Sequence, residues 1–475
     1  MNEQKNLLLA IVLSIAIVVI FQVFFPQQTM IIQEDDFQKG QTSLEQTTSI
    51  DQTQDSQTVK NKTREEILNQ GDSGRILIKN DYLNGTINLE GGIIDDLVLT
   101  QYKESLDTEA DNIKLFSPVG TKNPYYLETG WKQLSNNTNN IDLPNSKTKW
   151  LSSSNQLTPN SPVTLSWTNN QKITFNTHIT IDDEYMFSIT QEIINKSPNE
   201  INLFPYRFIK RINTPDTINF FILHEGLIGM SNEELLEKDY DDLIDDCSSQ
   251  KSVKSDYCNQ KSIGGWLGFT DKYWLTALIP DQSEKTNFNY RHNNNDEIDD
   301  YRVGYAGNII DIPSNKSKDY QGMIFIGAKV VETLNKYKSE HAIPRFTDAI
   351  DWGWFSFLTK PIFYSINWFY NKIGNFGLAI IGFTVLMRII LFPLAQSSFK
   401  SMAKMKKLQP EMQRLKELYG DDRQKMQQEL MGLYKKEGAN PIAGCLPLFA
   451  QIPIFFSLYK TLFVTIEMYH APFYG

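Results

Sequence analysis

The sequence predicts an α+β multi-domain membrane protein: a large all-β sandwich in water, joined to a helical membrane part that carries a polar helical hairpin. Three observations predict it. Three apolar stretches, Leu7–Phe25, Phe376–Ala395 and Cys445 to about Ile466, are long enough to cross a bilayer, which takes ~20 residues at ~1.5 Å each. Between about Arg75 and residue 331, short β-rich runs alternate with turn residues and show no long helical period. Residues 397–440, between the last two apolar stretches, are polar and repeat at helical spacing.

Charge orients the parts. The net charge is −10, yet residues 397–440 hold ten Lys/Arg against six acids, so this segment is +4 and the remainder −14. A basic loop between two spans reads as cytoplasmic. The acidic bulk then lies on the other side, and its sign excludes specific nucleic-acid binding.

Taken in order, residues 1–26 read as an N-terminal transmembrane anchor with its N-terminus in the cytoplasm. Phe24-Phe25-Pro26 is a poor cleavage site, so the anchor is expected to be uncleaved. Residues 27–72 are rich in Gln, Thr, Ser and Asp, have little to bury and read as a disordered tether. Residues 73–345 form the β-domain. Its strand candidates include 75–78, 86–89, 97–100, 173–181, 185–194 and 274–279, and Asn84-Gly85 and Gly91-Gly92 read as turns. Cys247 and Cys258 lie in a polar, acidic stretch. Outside the cytoplasm a disulfide between them is permitted, with two free thiols as the alternative. The domain's histidines are His178, His224, His292 and His341, and His224-Glu225 places an acid beside one. Neighbours in a strand point to opposite faces, and no nucleophile elbow, phosphate loop or metal motif is present, so the chain reads as no enzyme and as needing no cofactor.

Residues 346–372 are aromatic, with Trp352, Trp354, Phe357, Tyr364 and Trp368 among them, and read as an interfacial amphipathic helix. Residues 373–396 form the next span, in which Arg388 is the only charge. Arg388 lies 12 residues into the run, on the order of 18 Å deep, and a guanidinium cannot shed its charge. In hydrocarbon it costs at least ~2.5–3.5 kcal/mol, so it should face water or polar groups inside the membrane; snorkelling or an unseen acidic partner is the bland alternative. Thr384, four residues earlier, shares its face. In residues 397–440, Leu408, Met412, Leu415 and Tyr419, then Met426, Leu430 and Leu433, suggest two helices. Gly420 reads as the stop of the first, and Asp421 with Gln424 as the cap of the second. The Met-rich stripe suits a partner or equally the hairpin's own packing. Residues 441–475 hold the last span and the start of the next outer segment. Gln451 lies near its cytoplasmic end, and Ser457, Thr461 and Thr465 recur every four residues beyond it.

These residues carry a resemblance. Thr384-Val-Leu-Met-Arg388, Phe392-Pro393-Leu394, Ser401-Met-Ala-Lys-Met405, Leu408-Gln-Pro410, Tyr434-Lys435, Asn440-Pro441, Gly444-Cys445 and Gln451-Ile-Pro-Ile-Phe455 are similar to the YidC/Oxa/Alb insertase family. The resemblance covers Gly374–Gly475. A single anchor, a tether and a large β-domain resemble its Gram-negative form, and Gly264-Gly265-Trp266 matches that form's periplasmic domain more weakly. It implies a periplasmic β-supersandwich beside an α-helical insertase core in the bacterial inner membrane, with residues 27–372 periplasmic and 397–440 cytoplasmic. It implies insertion and folding of membrane proteins through a hydrophilic groove open to cytoplasm and lipid, alone or with the Sec translocon. Arg388, Thr384, Gln451, Phe392 and Ser457 are the groove residues so implied; Phe392 stands where some relatives carry Tyr, which removes a hydroxyl. Lys404, Lys407, Met412 and Lys435 are the implied hairpin contacts with ribosome and targeting factors. The family has further spans beyond the equivalent of Pro472-Phe473, which implies a truncated chain. Nascent membrane proteins and membrane lipid are the other expected partners. The competing readings are a membrane-anchored receptor whose β-domain captures a peptide or glycan, and a transporter subunit with an anion site at Arg388.

Overall fold

A computed structural model describes residues 62–69 and 74–475, apart from 108, 135–139, 219, 221, 249–254, 296–297, 420–421, 439–445 and 474–475. The expected N-terminal anchor, most of the tether and the Gly420 and Asp421 signals lie outside these residues. All described residues belong to one compact unit, Gln57–Gly475.

Strands between Arg75 and Ala328 form two sheets, one of eleven strands and one of nine among the described residues. Ile201–Ile212 is central in the first, antiparallel to Tyr125–Gln133 and Ile298–Ala306. Lys316–Ala328 is central in the second, antiparallel to Met186–Asn195 and Trp274–Pro280. Period-2 patterning fixes the inner faces: in Ile173–Ile181 the odd-numbered residues, Ile173 to Ile181, are buried and the even-numbered ones reach outward.

Asn84-Gly85 is a correction to the sequence reading. Both residues lie inside the strand Leu83–Asn88 rather than in a turn. A Cβ on Gly85 would meet the Asp96 carbonyl, so glycine serves close strand approach there. The turn is made upstream by Asn80, whose side-chain oxygen accepts the N–H groups of Tyr82 and Leu83 at 2.9 and 2.7 Å. Gly91 and Gly92 do form a turn, with φ of 82° and 67°.

The tether's last residues also depart from expectation. Helix α1, Arg64–Leu68, opens with a capping box of Thr63 and Glu66. Arg64 donates to buried Asp96 at 2.6 Å, which docks the helix on the β-domain.

Arg207 ties the two sheets together. It is fully buried in the first sheet, and its guanidinium donates to Gln191 and the Ile189 and Tyr320 carbonyls of the second. It also donates to the Tyr305 hydroxyl at 2.9 Å. No carboxylate faces it among these bonds, so neutral oxygens and the rings of Tyr305 and Tyr320 replace its hydration.

Helix α2, Tyr240–Asp246, lies in the acidic stretch. Cys247 at its end is bonded to Cys258, with Cα atoms 5.6 Å apart. Helix α3, Val331–Glu340, caps the second sheet: Tyr337 donates to Asp182 at 2.5 Å, and just beyond the helix Trp266 donates to the Pro344 carbonyl at 2.9 Å. Trp266–Thr270 and Trp274–Pro280 are consequently covered on both faces, which explains their nearly continuous apolar sequence.

The chain then enters a helical part. Helix α4 is Ser356–Ile373, α5 is Phe376–Leu418, α6 is Arg423–Lys436 and α7 is Leu446–Val464. Gly374, with φ of 75°, ends α4, and the Asn375 side chain then caps α5 by accepting the Leu378 N–H at 3.1 Å. Only α5 and α7 among the described residues are long and apolar enough to cross a membrane. The 43 residues of α5 span ~65 Å, about twice the hydrocarbon thickness of ~30 Å, so its second half stands clear of a bilayer that holds its first. Helix α6 is capped by Asp422, whose carboxylate accepts the Lys425 N–H at 3.1 Å.

Beyond α7 the chain returns to the β-domain. Tyr469 donates to the Lys103 carbonyl at 2.7 Å, and Glu467 accepts the Val331 N–H at 2.9 Å. The other Glu467 oxygen is buried without a hydrogen-bond partner among the described residues. Burial pushes this carboxyl up to about 7 from its ordinary 4.5. An acid raised by folding costs nothing while both states are protonated, below about pH 4.5, and costs progressively more as pH rises to about 7. Glu467→Gln should thus stabilise the folded chain at pH 8 by on the order of 1–3 kcal/mol and leave it unchanged at pH 4.5. Thermal unfolding in detergent at the two pH values checks this, and an equal gain at both would rule out ionisation as the cause.

Candidate functional site

The candidate site lies on α5 and α7. One face of α5, with Phe376, Ala379, Phe383 and the partly buried Ile380 and Met387, packs on Ile362 and Ile366 of α4 and on Leu458 and Leu462 of α7. This is the helical i, i+3, i+4, i+7 row expected of a packed face. Val385, Leu386, Ile389, Ile390 and Phe392 remain exposed, as do Leu448, Phe449, Ile452 and Phe455 of α7. So much bare aliphatic and aromatic surface is stable in lipid and not in water.

Arg388 projects from this apolar surface. It is exposed, and it has no hydrogen-bond or ion-pair partner among the described residues. Its five donors in a planar fork are therefore unspent. Thr384 lies one turn earlier, also exposed, and donates to the Ile380 carbonyl at 2.8 Å. That back-bond uses its only proton, so toward a ligand Thr384 can only accept. Phe392, one turn after Arg388, is 61% exposed and completes the row. Gln451 is half-buried on α7 and likewise has no hydrogen-bond partner among the described residues. Thr384, Arg388 and Phe392 thus share one strip of α5, and Gln451 belongs to the α7 row of Leu458, which packs against α5.

Ser457 is the correction. Sequence reasoning groups it with the groove, but it is fully buried on the other side of α7. Thr461, its neighbour one turn on, donates to the Ser457 carbonyl at 2.8 Å and lies 3.3 Å from the Thr359 carbonyl of α4. The four-residue recurrence of Ser457, Thr461 and Thr465 marks a close helix contact made by small residues, not a polar lining.

In the hairpin, Met405, Leu408, Met412 and Leu415 are half-buried, and so are Met426, Leu430 and Leu433 of α6. The Tyr434 hydroxyl sits 3.7 Å from the Met412 sulfur. Met412 therefore packs within the hairpin, whereas Lys404, Lys407 and Lys435 are exposed.

Helix α4 has two apolar faces. Ile362, Phe363 and Ile366 are buried, while Phe357, Tyr364 and Trp368 are exposed on the opposite side. In the β-domain, His224 and Glu225 point apart: His224 contacts Asp239 at 3.2 Å, while Glu225 accepts the N–H groups of Ile218 and Lys272. No group of three or more His, Cys, Asp or Glu among the described residues is placed to hold a metal ion.

The site residue that sequence reasoning underused is Lys460. Its side chain is 2% exposed, and its ammonium reaches Asp351 at 2.7 Å and the Ile222 carbonyl. The available signal was a second charge within an apolar helix.

Comparison with known proteins agrees with this architecture. Residues 75–365 match the family described as YidC periplasmic domain, and residues 368–475 match that described as 60Kd inner membrane protein. The membrane protein insertase YidC of Rickettsia bellii is 41% identical over 476 residues, covering 100% of this chain and 82% of that protein. The protein of the same name from Rickettsia typhi is 42% identical over 483 residues, with the same shares. Among solved structures, an active YidC insertase is 16% identical, covers 84% of this chain and 75% of its own, and has a TM-score of 0.29. A galactose mutarotase related enzyme from Lactobacillus acidophilus is 8% identical, covers 53% and 97%, and has a TM-score of 0.36. At those scores neither structural likeness bears on function. The two family matches and the relatives spanning the whole chain carry the conclusion: the chain belongs to the YidC family of membrane protein insertases.

Proposed function

We propose that this protein inserts membrane proteins by giving the hydrophilic parts of a client a polar path between α5 and α7. The carrying observation is Arg388: an exposed, unpartnered guanidinium on an apolar helix, with Thr384 one turn away. A client segment that must cross leaves its hydration behind. Carboxylates and backbone carbonyls of that segment regain donors at Arg388, and its donors regain acceptors at Thr384 and Gln451. The client's apolar segment moves along Val385, Ile389, Ile452 and Phe455 into lipid. Transfer of ~20 apolar residues is favourable in itself, so the cycle runs without nucleotide or metal.

The surrounding parts follow from the same reading. Residues 27–372 are periplasmic and 397–440 cytoplasmic, with the aromatic face of α4 at the outer headgroup level. Lys404, Lys407 and Lys435 present a basic surface to the ribosome and targeting factors, and the protein works alone or with the Sec translocon. A cysteine at position 407 should resist an impermeant thiol reagent added from the periplasmic side, and a cysteine at 151, 76% exposed at Leu151, should react. Reaction at both would overturn the topology.

Site-specific photo-crosslinking tests the function. Nascent membrane segments should crosslink to positions 384–392 and, on α7, to the α5-facing positions within 447–458. Crosslinks confined to residues 75–330 would instead make the β-domain a receptor and sink the insertase path.

A further inference from the structure

Lys460 is the only charged residue within α7, and the structure spends it on two acceptors of the β-domain. Three chain segments meet at its ammonium. Asp351 accepts from Lys460 at 2.7 Å, and the same Asp351 oxygen accepts the His224 N–H at 3.0 Å. The other Asp351 oxygen accepts the Gly353 N–H at 3.1 Å. The Ile222 carbonyl is a second acceptor for Lys460. Gly353, with φ of 70°, curls around the side chain so closely that a Cβ there would sit 3.2 Å from Lys460 Cε. Both the 222–224 loop and the 351–353 turn belong to the body of the β-domain, since Ile350 and Trp352 are buried in its core.

The rotational position of Lys460 on α7 matters. Gln451 precedes it by nine residues, which at 3.6 residues per turn is about 180° around the helix and about 13 Å along it. Phe455, Leu458 and Leu462 fall within about 40° of the Gln451 direction. Leu458 and Leu462 pack with the α4–α5 cluster that holds Phe383 and Met387, so this is the side of α7 that α5 meets. The β-domain thus grips α7 by one face and leaves the opposite face to the groove.

We infer that the Lys460–Asp351 pair is a positioning element for insertion: it fixes the depth and rotation of α7, and so keeps Gln451 turned toward α5. The inference rests on the proposed path between α5 and α7. Lys460 touches no client in this scheme; it acts through the helix. A buried ion pair suits the task because it has one geometry, whereas an apolar contact tolerates slippage.

The full chain in proteoliposomes tests this, with a photoreactive residue at position 451 and, separately, at position 456. In the unsubstituted protein a translocating client should crosslink from 451 and not from 456. Lys460→Met and Asp351→Asn should lower insertion and the 451 crosslink together by roughly tenfold, within the cost of up to ~100-fold for a misplaced functional group. The 456 crosslink should rise while accumulation stays normal. The exchange Lys460→Asp with Asp351→Lys should restore both readouts. A merely structural pair would change accumulation or melting and leave the crosslink register in place; that result overturns the inference. So does an exchange that accumulates normally and restores nothing. Should Lys460→Met fail to accumulate, Asp351→Asn, which keeps the shape and a hydrogen bond, decides by the same register criterion. Absence of any 451 crosslink in the unsubstituted chain would overturn the path itself and this inference with it, whereas a 451 crosslink that no variant disturbs overturns the inference alone.

Discussion

Arg388→Ala should reduce membrane insertion by roughly 10- to 100-fold for clients whose translocated segment is acidic, and by much less for clients whose segment is neutral or basic. The scale is that of a charge-assisted hydrogen bond, ~1.5–3 kcal/mol, at a tenfold change per ~1.4 kcal/mol. Arg388 has no partner among the described residues, so no internal bond is broken when it is removed. Removal also relieves the cost of a lone charge at membrane depth, so the variant should accumulate normally. Arg388→Lys should keep most of the activity, because a wet site needs a cation more than a planar fork. An insertion assay over clients of graded charge, with protein amount followed by blotting, measures this. Equal losses for all clients, matched by loss of the protein, would show that Arg388 holds the fold together instead.

Arg207→Met should destabilise the β-domain by about 3–5 kcal/mol, although it lies far in sequence from Arg388. The substitution leaves the Gln191 side chain and the Ile189 and Tyr320 carbonyls without their buried donor. It also separates the only described guanidinium that bonds both sheets at once from the Tyr305 hydroxyl. Gly322→Ala should do comparable damage by a different route, because a Cβ there would meet an Arg207 terminal nitrogen at 1.9 Å. Chemical denaturation of the full chain in detergent, followed by tryptophan fluorescence, reads both. A loss below about 1 kcal/mol in each would mean that the sheets hold without this tie.

Arg388 and Arg207 show what sequence reading reaches and where it stops. Arg388 is legible because its surroundings are local: the apolar residues that make it anomalous are its own neighbours in one helix, and a helix converts spacing directly into faces. Thr384 follows by the same rule. Arg207 is not legible, because the oxygens it satisfies come from residues 189, 191, 305 and 320, which only strand pairing assembles. Ser457 fails for an intermediate reason. Its four-residue recurrence with Thr461 is real, but periodicity says that a face exists and not what covers it; α4 covers it. Asn84-Gly85 misleads because a turn dipeptide and a glycine needed for close strand approach look alike in a linear sequence.

By itself, then, the sequence determined the class of the molecule, its division into a β-domain and apolar helices, the charge asymmetry of its loops and the lone arginine within an apolar helix. Each is a property of composition or of helical and strand periods, which act over a few residues. Tertiary structure alone decided which polar groups are spent and which are free. Met412 is turned into the hairpin, Thr461 is given to α4, and Lys460 is given to Asp351, while Arg388 is left with its donors unspent. The physical reason is that a polar side chain is satisfied by whatever the folded chain brings within ~3 Å, and the partners here lie tens to hundreds of residues away.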